Sequence, residues 1–145
     1  YSEGKTVASK SFKMGTVRLI NNLVDDVMWD QMKDWIKCNT QKYDHITLLG
    51  TGGNINSTYK FSGKKIGTPL SYRYLVTYFN KVKALSYDDR IFELDMNPDR
   101  ADVIIPALKI YIFAMKWSGA EYVYVPKIGL SDGIIRSLYN EKLNA

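Results

Sequence analysis

A chain of 145 residues, 46% hydrophobic and 24% charged, has the size and balance to bury roughly two-thirds of its unfolded surface in one core, which excludes a disordered or fibrous protein. Its longest apolar run, Val103 to Met115, is interrupted by Pro106 and Lys109 and falls short of the about 20 residues a bilayer span requires. The net charge is +5, and from His45 through Tyr87 there is no Asp or Glu, while Lys60, Lys64, Lys65, Arg73, Lys81 and Lys83 all fall there; such a face favours an anionic partner.

Tyr1 to Lys10 lacks the charged start and apolar run of a signal peptide, and the lone Cys38 has no partner for an internal disulfide. A reducing cytoplasm and no membrane association are therefore expected. Ser2 to Lys5 reads as a hairpin turn, followed by an alternating run from Thr6 to Met14 that suits a strand. A turn with no strand before it, and no initiator methionine, suggests that an upstream part is missing.

Gly15 closes that strand, and Val24, Val27, Met28, Met32, Trp35 and Ile36 then recur at helical spacing, with Asp25 and Asp26 at the positive end of the helix dipole. Trp29 falls off this stripe and reads as a partly covered surface aromatic. His45 to Leu49 is short, apolar and β-branched, as in a buried parallel strand. A glycine turn, Gly50 to Asn54, leads into a helix from Ile55 to about Phe61, and Gly63 to Pro69 form a loop. Helices follow over Tyr72 to Leu85 and Tyr87 to Leu94, the second capped by Ser86. Asn97 and Pro98 open a long helix to about Trp117, apolar nearly all round and expected to kink at Pro106. Gly119 ends it. Glu121 to Val125 is a second strand, and Leu130 to Lys142 the last helix. Strands alternating with helices predict an α/β layer.

Chemistry concentrates at the turns. In Gly50, Thr51, Gly52, Gly53 and Asn54, a strand, a glycine turn and a helix start together offer unpaired backbone N–H groups to an anion, and only glycine lets a phosphate approach that closely. Gly129, Asp132 and Gly133 lie in a similar second loop after the other strand, and parallel neighbouring strands would bring both turns to one carboxyl edge of the sheet. Lys60, Lys64, Lys65, Arg73 and Arg100 are further candidate contacts to a polyanion. On spacing alone, Arg100 and Asp102 suit a structural ion pair. His45 has no assignable base or nucleophile partner, Cys38 reads as an inert thiol, and no zinc spacing, nucleophile elbow or Walker loop is found. No catalytic residue and no metal ligand is assigned in this chain.

Four segments, in order along the chain, resemble a known family. Ser11 to Leu19 resembles its "SLPLGAVRL", Leu48 to Asn54 its second-domain glycine turn, Arg100 to Ile104 its "RADVI" helix start, and Gly129 to Ile135 its closing "GLREGLL". The family is that of the exopolyphosphatases and guanosine pentaphosphate phosphohydrolases. Ser131 and Asp132 stand where the family has Arg and Glu. The resemblance implies that residues 1–145 are the C-terminal actin-like domain of such an enzyme, in the actin-like ATPase and ribonuclease H-like fold class: a mixed sheet flanked by helices, here lacking its first strand, whose place a separate strand would fill. It implies attack of water on a terminal phosphoryl of polyphosphate or guanosine pentaphosphate, with Mg2+ and the catalytic carboxylate held mainly by the missing N-terminal domain. The chain alone is expected to be inactive. A homodimer stays open and nucleic acid is disfavoured as a partner; the rival readings are another kinase or regulator of the actin-like superfamily and a basic nucleic-acid-binding module.

Overall fold

The computed structural model describes residues 2–143. Eight helices and three short strands are found among them: α1 (Thr16–Ile20), α2 (Asp26–Thr40), β1 (Leu48–Leu49), α3 (Gly53–Phe61), β2 (Leu70–Ser71), α4 (Tyr72–Ala84), α5 (Tyr87–Phe92), α6 (Pro98–Ala101), α7 (Ile104–Ser118), β3 (Tyr122–Tyr124) and α8 (Leu130–Leu143). No helix among the described residues is long and apolar enough to cross a membrane.

The strands form one mixed sheet in the order β1-β3-β2. β1 runs parallel to β3, pairing Leu48 with Val123 and Leu49 with Tyr124, while β2 runs antiparallel to β3, pairing Leu70 with Val123. Side chains alternate across a strand. Val123 and Leu70 are accordingly buried under the helices, whereas Leu49, Tyr122 and Tyr124 face outward. β2 lies between the loop expected over Gly63 to Pro69 and the helix expected from Tyr72, and two residues are too short to show an alternation.

Helix α7 organises the packing. It carries two apolar stripes at helical spacing. Ile104, Leu108 and Met115 enter a first core with Ile55, Tyr59, Leu75, Tyr78, Val82 and the sheet, while Ile110, Ala114 and Trp117 pack on a second with Met14, Met32 and Ile36 of the α2 side. This is why α7 reads as apolar nearly all round, and each fully buried aliphatic side chain in it contributes about 1.5–3 kcal/mol. Trp29 is half-covered, edge-on to Phe113 (5.1 Å) and Trp117 (6.1 Å), with the Lys109 ammonium 4.9 Å over its ring.

Two expectations are corrected. Thr6 to Met14 forms no strand. A strand exists through its ladder, and none pairs with this segment; Phe12 and Met14 pack on α2 instead, Phe12 edge-on to Trp35 at 5.9 Å. The turn before it is present: Ser2 and Lys5 exchange two 2.9 Å backbone bonds, with Glu3 and Gly4 at φ 50° and 76°, as a primed hairpin turn requires. The long helix is not kinked at Pro106 but broken before it, into α6 and α7. Proline lacks an N–H and its ring collides with the carbonyl four residues back, so the chain restarts the helix at Ile104 and places Pro106 in the new first turn, where no donor is needed. Asn97 stands at the cap of α6, but its side chain makes no capping bond.

Candidate phosphate-binding site

Strand β1 ends where its ladder to β3 makes one last bond, Gly50 N–H to the Tyr124 carbonyl at 2.8 Å. Gly50 is buried in a space without room for a side chain: a Cβ there would lie 3.1 Å from Ile55, Tyr111 and Val123. The chain then turns sharply at Gly52, whose φ of 105° and ψ of 163° belong to a region that side chains disfavour strongly. The Tyr111 hydroxyl, on α7, braces the turn by donating to the Thr51 carbonyl at 3.0 Å, and burial pushes its pKa up. Helix α3 begins at Gly53 with no side-chain cap. The amides of Gly53, Asn54 and Ile55 therefore have no acceptor within the helix.

Over this helix start lies Arg100, carried by α6. A Cβ on Gly53 would come within 2.7 Å of its guanidinium, and its Nη1 donates to the Asn54 carboxamide oxygen at 3.3 Å. Arg100 pairs with Asp99 at 3.5 Å, an exposed contact, and not with Asp102 as its spacing suggested. A cation at the positive end of a helix dipole has the wrong sign, by about 0.3–1 kcal/mol at an exposed site. An anion placed between guanidinium and amides reverses that sign.

The second turn follows β3. Because β1 and β3 are parallel neighbours, both turns do leave the same edge of the sheet, and Thr51, Gly129, Gly133 and Ser137 line one open cleft of about 590 Å³. Here the anion position is taken by the chain itself: the Asp132 carboxylate accepts the Gly129 N–H at 2.7 Å.

The other candidate cations divide. Lys60, one face of α3 further on, shares a cavity of about 720 Å³ with Arg100, Asn56, Phe61, Asp95 and Lys127. Lys64 and Lys65 lie on the exposed loop after α3, anchored by the Tyr59 hydroxyl bonding to the Lys65 carbonyl at 2.6 Å. Arg73 is at the opposite end of the sheet, in a cavity with Glu121 and Tyr122 where β3 begins. His45 and Cys38 are exposed and away from any such grouping. Sequence reading passed over Asn56 and Lys127. Asn56 could have been found from its spacing, three residues past Gly53 and four before Lys60 on one helix face.

The same fold occurs in solved structures. The fold is that of the Ppx/GppA phosphatases. The chain superimposes on the Aquifex aeolicus Ppx/GppA family member with a TM-score of 0.71 at 18% identity, covering 95% of this chain and 50% of that one. For a type II variant of the Aquifex aeolicus phosphatase the figures are 0.69 and 19%, with 92% and 50% covered. For an exopolyphosphatase from Cytophaga hutchinsonii they are 0.74 and 16%, with 95% and 51% covered. The chain thus spans about half the length of the Ppx/GppA structures it matches. No protein-family model matches it, and no curated protein matches it in sequence.

Proposed function

We propose that this chain supplies the phosphate-holding half of a cytoplasmic phosphohydrolase that releases terminal phosphate from inorganic polyphosphate or guanosine pentaphosphate. The observation that carries the reading is Arg100 poised over the uncapped start of α3. The amides at the start of α3 and the guanidinium above them form an anion site, with Asp99 the acid that an incoming anion competes with for Arg100. The Ppx/GppA fold supports the same reaction class.

The work assigned to this chain is binding and charge neutralisation. The amides of Gly53 and Asn54 and the Arg100 fork hold a phosphoryl group beyond the bond that breaks, and Lys60 draws the polyanion toward the turn. As water attacks the terminal phosphorus, charge moves to the bridging oxygen that leaves with the remaining phosphates, and a cation fixed beside them lowers that barrier. Gly129 and Gly133 border the neighbouring cleft with Thr51, where a phosphate would have to displace Asp132 from the Gly129 N–H to use that turn. Among the described residues no three His, Cys, Asp or Glu side chains gather in one place, and Mg2+ is assigned mainly to the other half of the enzyme. The carboxylate that orients water is assigned there too.

The test is orthophosphate release by the intact protein from polyphosphate and from guanosine pentaphosphate, set against phosphoryl transfer from ATP. Arg100→Ala is expected to lower release about 10- to 1,000-fold, the usual cost of removing one charged transition-state contact, and residues 1–145 alone to release none. ATP-dependent transfer without hydrolysis would select the kinase reading. Full activity of Arg100→Ala would remove Arg100 from the site.

A further inference from the structure

Helix α8 is amphipathic, yet it buries neither face. From Ser131 to Leu143 every side chain is exposed. Helices of similar length in the same fold bury a stripe, Met32 and Ile36 on α2 and Leu75, Tyr78 and Val82 on α4. Helix α8 carries a stripe of the same kind. Ile134 and Leu138 form one row at four-residue spacing and Ile135, Tyr139 and Leu143 the next, each between 49% and 66% exposed. Single apolar side chains are ordinary on a surface, whereas two adjacent rows along one helix mark a contact. A helix of 14 residues is also marginal alone in water, where about 12–15 are needed even for favourable sequences, and this one includes Gly133. Its stability has to come from a surface packed on those rows.

The first row says where that surface lies. Ile134 and Leu138 wall the cleft of about 590 Å³ into which Thr51 and Gly129 open, so a body seated on this face stands beside the first glycine turn. The size of the occupant follows from the structural matches. They take in 92–95% of this chain but only 50–51% of the Ppx/GppA chains, which leaves in those proteins a second half of similar length. A second copy of this chain would cover the face too, but it would bring to the cleft none of the catalytic groups that the proposed reaction still needs.

We propose that the two apolar rows of α8 are the surface on which the N-terminal half of the same protein docks, closing one side of the cleft beside the glycine turn. The choice of occupant rests on the phosphohydrolase reading, which takes its carboxylate from outside this chain; the uncovered apolar face does not depend on it.

Hydrogen exchange in the intact protein tests this. Amides 134–143 are expected to exchange at least about 100-fold more slowly than an unstructured chain, at any protein concentration. Leu138→Glu is the informative change. In a free helix it would help, because a glutamate four residues before Lys142 makes a favourable pair; on a docked face it buries a charge. Exchange in α8 should therefore accelerate at least about tenfold while exchange in α7 is unchanged, and Leu138→Met, which keeps the apolar surface, should leave both as they were. Exchange of α8 near the unstructured rate, or exchange that Leu138→Glu leaves unchanged or slows, overturns the proposal. So does protection lost on dilution, which gives the face to a second copy. Orthophosphate release separates the two readings. Protection that Leu138→Glu removes, in a protein that releases phosphate from neither substrate, upholds the docking and overturns the phosphate reading; release by a protein whose α8 is unprotected does the reverse.

Discussion

At the scale of single residues, the glycines of the first turn are required for different physical reasons. Gly50 is excluded from change by packing, Gly52 by its backbone angles, and Gly53 by the guanidinium above it. Substitution of Gly53 displaces a flexible arginine tip, whereas Gly52→Ala strains the backbone itself and should lower stability by about 1–3 kcal/mol in urea unfolding. Gly52 was legible as a turn residue from its neighbours alone; the reason for Gly53 was not, because Arg100 is distant in sequence. Tyr78 is the opposite case, a polar group at a loss. Its hydroxyl is buried without a partner among the described residues, its ring stacks on Tyr74 at 5.9 Å, and burial first, then the Tyr74 charge, hold its pKa well above the usual 10. A raised tyrosine pKa favours the neutral, folded form: its stability contribution is full below about pH 10 and is lost as pH rises toward the folded value. Stability should therefore be flat below pH 10 and then decline by up to about 1.4 kcal/mol per pH unit for each such tyrosine. Tyr78→Phe is expected to be neutral or stabilising at pH 7 and to soften the alkaline decline, as followed by circular dichroism.

At the scale of elements, local sequence did well where a cap or a breaker acts alone. Ser86 and Asp89 close a capping box on α5, the Asp25 carboxylate accepts the Met28 N–H at 2.9 Å, and Gly119 ends α7 at φ 75°. It did poorly where an element depends on a distant partner, as Thr6 to Met14 and β2 do. The joint between α4, α5 and α6 is a further instance. Arg90, on α5, donates to the carbonyls of Val82 (3.0 Å), Leu85 (2.9 Å) and Ala101 (3.1 Å), so one fork ties three segments. Nothing in its surroundings in sequence marks it. A lysine cannot reproduce three donors in fixed directions, and Arg90→Lys should cost about 2 kcal/mol or more in chemical denaturation. A cost below 0.5 kcal/mol would mean that water replaces the fork readily.

At the scale of the whole molecule, α7 is shared by two cores, and sharing should make unfolding cooperative. All three tryptophans, Trp29, Trp35 and Trp117, sit with the second core. Leu108, 1% exposed, sits in the first. Leu108→Ala should lower stability by about 2–5 kcal/mol and shift the tryptophan fluorescence transition together with the far-ultraviolet one. A fluorescence transition that stays in place would show two units that unfold independently.

By itself the sequence determined what depends on neighbours along the chain. The helical stripe of α2, the serine cap of α5, the glycine break after α7 and the α/β alternation all follow from periodicity and local bonding, which act over a few residues. So does the existence of two glycine turns after two strands. Only the tertiary structure decided that β1 and β3 are neighbours, that Arg100 rather than Arg73 stands over the first turn, that Asp132 fills the second, and that Asn56 lines a cavity with Arg100 and Lys127. Each depends on which elements pack together, and that choice is made by the summed burial of the two cores around α7, a quantity no short window of sequence contains.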